Sequence, residues 1–153
     1  MELWRISRFP DLAGLGGLKY SGRWHTSGHA IVYFADSLAA AMLEMLVHLE
    51  VQEDEMPLGF LALHVTVPDD LTVATLTASA SEWQEDIASS RAVGDAWLRS
   101  NETALARVPS AVLQDTTNFL LNPVHPDAAR LTLQSKNPLR FDPRLIKRAR
   151  RTT

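Results

Sequence analysis

From Leu3 to Ser7 the chain reads LWRIS, with Leu3, Arg5 and Ser7 on one side of an extended segment and Trp4 and Ile6 on the other, which predicts a first strand. The pattern then breaks. Phe9 to Gly28 holds Pro10 and most of the glycines, so a long loop with little regular structure is expected. Ordered loops of that length in compact domains usually carry function. Ala30 to Phe34 is apolar and partly β-branched, which predicts a buried strand, and Asp36 or Ser37 is placed to cap the helix that follows. That helix is expected to reach about Leu49. Leu38, Ala39, Ala40, Ala41, Met42, Leu43, Met45, Leu46 and Val47 make it apolar on every face, so burial is expected. Glu44 is its one acid before the end.

After an acidic turn at residues 50–57, GFLALHVTV (Gly59 to Val67) predicts a strand closed by Pro68, and Leu71 to Leu76 a short one. Residues 82–107 have a mainly helical pattern, with a break expected near Ser89, Ser90 or Gly94 and with Trp83 and Trp97 as core anchors. Val108 to Leu113 and Asn118 to Asn122 read as short strands, Pro126 to Ala129 as a helical turn, and Leu131 to Gln134 as a final strand. PLRFDPRL reads as a terminal extended stretch. Strands and helices mixed in this way predict a single α+β domain and not a regular βαβ winding.

Composition narrows the function. With 153 residues, 46% hydrophobic, the chain suits one domain with a real core. The net charge is −3, yet the last ten residues, RLIKRARRTT, carry five basic groups and no acid, leaving roughly −8 on the body. An acidic body argues against nucleic-acid binding, and the basic tail at 147–153 reads as a solvated end beyond a domain at 1–146. Absence of cysteine excludes disulfides and a cysteine nucleophile, and fits a reducing cytoplasm. MELWRISRF has charges where a signal peptide needs an apolar core, and no uncharged apolar run approaches the ~18 residues of a membrane span.

Several chemistries are missing. AGLGGLKYSG lacks the Gly-Lys-Ser/Thr of a P-loop and opens no helix, no Gly-x-Ser-x-Gly elbow occurs, and no zincin motif or acidic array predicts a metal. His25 and His29 are four apart but sit in a loop, where helical metal-ligand spacing has no meaning. His48 lies one turn after Glu44 and reads more readily as a core histidine than as that carboxylate's partner. What remains is a set of arginines, a tyrosine on a strand, one helical glutamate and a serine before a strand. An ionised glutamate on an oily helix needs a cation or donors beside it, or a cleft. Arg23 is a candidate cation.

LWRIS, GRWH, IVYFADS, LAAAMLEMLVHL, VPSAV, NFLLNPVHPDA and FDPRL, in that order and over nearly the whole chain, resemble the RES domain, the toxin half of Xre-RES toxin–antitoxin pairs. Residue by residue, Arg5, Glu44 and Ser110 fall on that family's signature arginine, glutamate and serine, while Arg23 and Tyr33 fall on further pocket positions. Gln114 to Thr117 departs from the proline and acidic residues of the family. The resemblance implies an ADP-ribosyltransferase-like mixed sheet with flanking helices, and NAD⁺ as a substrate destroyed by hydrolysis, phosphorolysis or ADP-ribosyl transfer. A homodimer neutralised by a helix-turn-helix antitoxin of the Xre type is also implied. In this frame Glu44 faces the nicotinamide ribose, Tyr33 stacks the nicotinamide, Arg5 and Arg23 hold the pyrophosphate, and Ser110 orients Arg5 or Glu44. Two rivals stand beside it: a non-catalytic module that sequesters a DNA-binding partner, and an enzyme acting on another nucleotide.

Overall fold

The strands β1 (Glu2–Ser7), β2 (Val32–Ala35), β3 (Leu61–Thr66), β4 (Val73–Thr75), β5 (Leu105–Pro109), β6 (Thr117–Leu121) and β7 (Thr132–Pro138) form one sheet in the order β4-β5-β6-β2-β1-β3-β7. Helices α1 (Leu38–His48), α2 (Ile87–Ser100) and α3 (Pro143–Ala149) flank it, with short 3₁₀ turns at Leu15–Leu18 and Pro126–Arg130. The computed structural model describes residues 1–49, 57–79, 81 and 83–149, the last three by backbone alone. Most of the acidic turn expected at 50–57 and the last four residues of the basic tail lie outside the described residues. Neighbouring strands are antiparallel except β4 and β5, which run parallel and are joined by α2. A parallel pair needs such a crossover, because a tight turn cannot return the chain in the same direction.

Strand alternation divides the core. Leu3, Val32, Phe34, Val65, Leu105, Phe119 and Leu121 pack together in one buried cluster. Tyr33, Ala106, Val108 and Leu120 alternate with them and pack with Trp24, Ile31 and the α2 residues Trp97 and Leu98 in a second. The α+β reading of the sequence therefore holds.

Five local expectations are corrected. Helix α1 starts where expected, with the Ser37 hydroxyl accepting from the Ala40 N–H at 3.1 Å, but it is not buried all round. Only Ala41 is buried, and Val47 is 58% exposed, because the helix lies over a cleft. Helix α2 is unbroken. The Ser90 hydroxyl donates to the Arg23 carbonyl at 2.7 Å, with the Ile87 carbonyl at 3.1 Å as the alternative acceptor, and Gly94 sits where the Trp24 carbonyl approaches. The helix ends at Asn101, left-handed at φ 51°, so residues 105–109 are released to form β5. The strand expected over Val108 to Leu113 stops at Pro109, and only the end of the expected extended stretch is helical, where Pro143 opens α3 with Asp142 accepting from the Arg144 N–H at 2.8 Å.

A Cβ at position 94 would stand 1.7 Å from the Trp24 carbonyl oxygen, which is backbone and cannot rotate away. Alanine normally gains about 1 kcal/mol over glycine in a helix. Overpacking of this kind costs ~1–3 kcal/mol, so the overlap wins. Gly94→Ala is expected to lower the urea midpoint despite its better helix propensity, and an unchanged or raised midpoint would show that α2 tolerates being pushed off Trp24.

Candidate active site

β1 is registered with β3 along all six of its residues but with β2 through Trp4 and Ala35 alone. Consecutive residues of both strands, Trp4-Arg5-Ile6 and Tyr33-Phe34-Ala35, line one cleft of about 860 Å³ where the two strands part. α1 packs on both strands and contributes Ala41, Glu44, Met45, Val47 and His48 to its wall. Gly22, Arg23 and Trp24 close it from the loop, together with Ile87 and Arg91 of α2. Its volume falls within the range of nucleotide and cofactor pockets.

Glu44 is the acid of this cleft. Its Oε1 accepts from the Ser110 hydroxyl at 2.6 Å and from the Asn118 Nδ2 at 2.7 Å. Ser110 is itself fully engaged. Its oxygen accepts the Val112 and Leu113 N–H groups at 3.1 Å each, so its one proton is left for the carboxylate. Of the two partners considered for Ser110, the hydroxyl meets Glu44 and not Arg5. With Oε1 committed and Oε2 making no hydrogen bond among the described residues, the second oxygen is available to a ligand.

Arg5 and Arg23 do not pair with Glu44 among the described residues. Burial pushes the Arg5 pKa below the ordinary arginine value, opposed by Asp11, and its Nε is buried without a partner. A guanidinium stays charged under such a shift, so Arg5 is a desolvated cation facing the cleft. Arg23 donates from Nη1 to the Gln84 carbonyl at 2.6 Å. Arg91 donates from Nε to the Gly22 carbonyl at 2.8 Å, tying the loop to α2.

Tyr33 is held by its hydroxyl, which accepts from the Trp24 N–H at 3.1 Å and lies 2.8 Å from His25 Nδ1. Because the Gly22 N–H also points at Nδ1, that nitrogen is the acceptor, and Nε2 carries the proton toward the Gly17 carbonyl. His25, 3% exposed, thereby locks the ring that lines the cleft. His48 is exposed on the cleft wall, against the expectation of a core histidine, because its face of α1 lacks a covering layer.

The fold thus brings Arg5, Arg23, Tyr33 and Glu44 around one cavity, with Ser110 behind Glu44. Sequence reasoning missed Asn118, Arg91 and the role of His25. Asn118 reaches Glu44 only because β6 pairs with β2, placing it opposite Ala35. No local signal announces that.

A RES domain family model matches residues 2–142. The chain belongs to the RES domain family. It is 42% identical over 134 residues to "Toxin Res" of Pseudomonas putida, covering 88% of this chain and 92% of that one. To the "Prs ADP-ribosylating toxin" of Sphingobium sp. it is 35% identical over 160 residues, covering 97% and 98% of the two. The crystal structure of the M. tuberculosis MbcT–MbcA toxin–antitoxin complex holds a chain of the same fold, with a TM-score of 0.71 at 20% identity over 99% of this chain and 89% of that one. In this RES domain the segment 114–117 folds back so that the Thr116 carbonyl accepts from the Ser110 N–H at 2.9 Å. Ser110 is thereby anchored through its backbone as well as its hydroxyl.

Burial holds His25 below the ordinary imidazole pKa of 6.5, with backbone hydrogen bonding opposing it in second place. A depressed folded-state value means that the unfolded chain takes up the proton first, so His25 contributes stability above about pH 6.5 that is lost as pH falls below it. The urea midpoint should therefore drop between pH 7.5 and 5.5, and drop less in His25→Gln. Parallel pH profiles for the two proteins would remove His25 as the cause.

Proposed function

We propose that this RES-domain protein is the toxin of a toxin–antitoxin system and that it breaks the bond between nicotinamide and ribose in NAD⁺. The observation that carries the reading is a carboxylate clamped through one oxygen in a cleft that also holds a half-buried arginine whose buried Nε has no partner. An anion-binding cation and a free carboxylate oxygen, unpaired with each other, suit a substrate with both phosphate and a carbon that becomes positive.

In NAD⁺ the nicotinamide nitrogen already bears the positive charge. When the C1′–N bond breaks, its electron pair returns to that nitrogen, neutral nicotinamide leaves, and the ribose acquires oxocarbenium character. An acceptor oxygen then bonds to C1′ and releases its proton. Water, inorganic phosphate and a side-chain acceptor all satisfy this balance. Glu44 Oε2 accepts from a ribose hydroxyl and opposes the developing charge. A unit pair at ~4 Å and an effective dielectric of ~20 gives about 4 kcal/mol, roughly three decades in rate, for the part that exists only in the transition state. Tyr33 presents its ring to the nicotinamide, and Arg5 and Arg23 bind the pyrophosphate, whose oxygens match a planar fork.

The relative named an ADP-ribosylating toxin supports NAD⁺ as the substrate, and the neighbour in a toxin–antitoxin complex supports an antitoxin partner. We place that partner in the Xre helix-turn-helix class, with the toxin as a homodimer in the cytoplasm, where NAD⁺ is abundant. Among the described residues no helix is long and apolar enough to cross a membrane.

Glu44→Gln preserves shape and removes charge, so nicotinamide release should fall about 10³-fold while NAD⁺ binding largely survives. Unchanged release would refute the role of the carboxylate. Arg5→Lys keeps a charge but loses the fork. Its NAD⁺ affinity, measured calorimetrically, should weaken about tenfold and that of Arg5→Ala more, since hydrogen bonds to charged groups contribute ~1.5–3 kcal/mol. Equal affinities in all three proteins would place the pyrophosphate elsewhere.

A further inference from the structure

Two side-chain atoms among the described residues are buried without a hydrogen-bond partner, Arg5 Nε and Asn118 Oδ1. Both residues line the same cleft. One is a donor and belongs to the proposed pyrophosphate site. The other is an acceptor, and the phosphates, which bring acceptors only, cannot satisfy it.

The direction of the Asn118 amide is fixed by its neighbour. A carboxylate has no proton to give, so only Nδ2 can face Glu44 Oε1, which it does at 2.7 Å. Oδ1 is therefore turned away from Glu44 and held there. The strand leaves little freedom, since Asn118 is registered between Ala35 on β2 and Val108 on β5, and both of these also line the cleft. Such an arrangement is costly in the empty protein and is relieved by a ligand donor.

We infer that Asn118 contacts the substrate directly, its Oδ1 accepting a hydrogen bond from a hydroxyl of the ribose next to the scissile bond while its Nδ2 holds Glu44. The inference rests on the NAD⁺ reading above. Because the two polar atoms of an amide share one carbon, whatever binds Oδ1 lies beside the Glu44 carboxylate. The ribose at that carboxylate offers two vicinal hydroxyls, one for Glu44 Oε2 and one for Asn118 Oδ1. One residue thus connects recognition to catalysis: the hydroxyl that identifies the sugar presses on the amide that orients the acid. Asn118 is accordingly a specificity-determining as well as a positioning residue.

The test compares kcat/KM for NAD⁺ and for analogues lacking either hydroxyl of the nicotinamide ribose, in the wild type, Asn118→Ala and Asn118→Asp. Deoxygenation changes the intrinsic lability of the bond, but that effect is common to all three enzymes and cancels in the ratios. For one of the two hydroxyls, its removal should cost the wild type about fivefold to tenfold more than it costs Asn118→Ala, as expected for one hydrogen bond. Asn118→Asp retains an oxygen acceptor and loses the donor to Glu44. It should keep discriminating against the deoxy analogue while kcat for NAD⁺ falls. A role confined to orienting Glu44 would lower kcat in both variants and leave the hydroxyl ratios equal to the wild type, which would overturn the contact. Asn118→Leu, close to asparagine in shape, takes the place of the alanine variant if that fails to fold by circular dichroism. A wild type that releases no nicotinamide would overturn the NAD⁺ reading and this inference with it, whereas equal ratios in an active enzyme would overturn this inference alone.

Discussion

The hydrogen bonds from Ser110 and Asn118 to a single oxygen of Glu44 are the constraint on which the cleft depends. A glutamate on a helix has three torsions and, left alone, would sample orientations at a cost of ~1–2 kcal/mol of entropy on ordering. Charge-assisted donors at 2.6 and 2.7 Å are strong enough to hold one orientation. They come from different parts of the fold: Ser110 from the turn after β5, Asn118 from β6, and the acid from α1. The clamp therefore also fixes how α1 sits on the sheet, since α1 has one buried residue, Ala41, to anchor it by packing. A helix so lightly buried gains little from apolar contact, and polar contacts across its inner face matter correspondingly more.

Opposite the clamp, the cleft is shaped by what holds the strands apart. β1 and β2 share the Trp4–Ala35 pair, and the loop between them carries the residues that fill the opening. Gly14, at φ 66°, lets that loop run against the Ile31 backbone, where a Cβ would meet main-chain atoms at 2.7 Å. His25 then ties Gly17, Gly22 and Tyr33 together. The glycines superficially suggest a phosphate cradle in the sequence. In the fold, Gly14 serves a close backbone approach, and the cations that face the cavity are Arg5, Arg23 and Arg91 instead.

Much of this was legible in the residues, and the limits have physical causes. Buried strands such as Leu61–Thr66 and Thr117–Leu121 announce themselves because both of their faces meet apolar layers or neighbours. Helix α1 misleads for the opposite reason. Its oily residues include Val47 and Leu43, which are exposed, and a one-dimensional pattern cannot tell an apolar surface made for the core from one made for a cleft. Ser89, Ser90 and Gly94 read as a helix break on propensity, yet tertiary contacts with the Arg23 and Trp24 carbonyls overrule it. Arg5, Glu44 and Ser110 could be singled out through family likeness, whereas Asn118 and Arg91 acquire meaning only from strand order and helix placement. The sequence neighbours of Asn118 say nothing about a carboxylate 74 positions away.

The absence of an ion pair between Arg5 and Glu44 among the described residues is the feature that most favours the proposed reactive site over a structural network. Two opposite charges in one cleft lower their energy by meeting, and a protein built only for stability would let them. Here the acid is satisfied on Oε1 by neutral donors, and the half-buried Arg5 keeps a buried Nε without a partner. Neutral donors fix a carboxylate without cancelling its charge, so its field remains available to a developing cation. The unpaired guanidinium in turn keeps its attraction for phosphate. Two named atoms, Arg5 Nε and Asn118 Oδ1, are left buried without partners, one a donor and one an acceptor. The nucleotide substrate proposed above, with its phosphates and free ribose, would meet both needs, whereas a purely anionic or purely apolar partner would meet one at most.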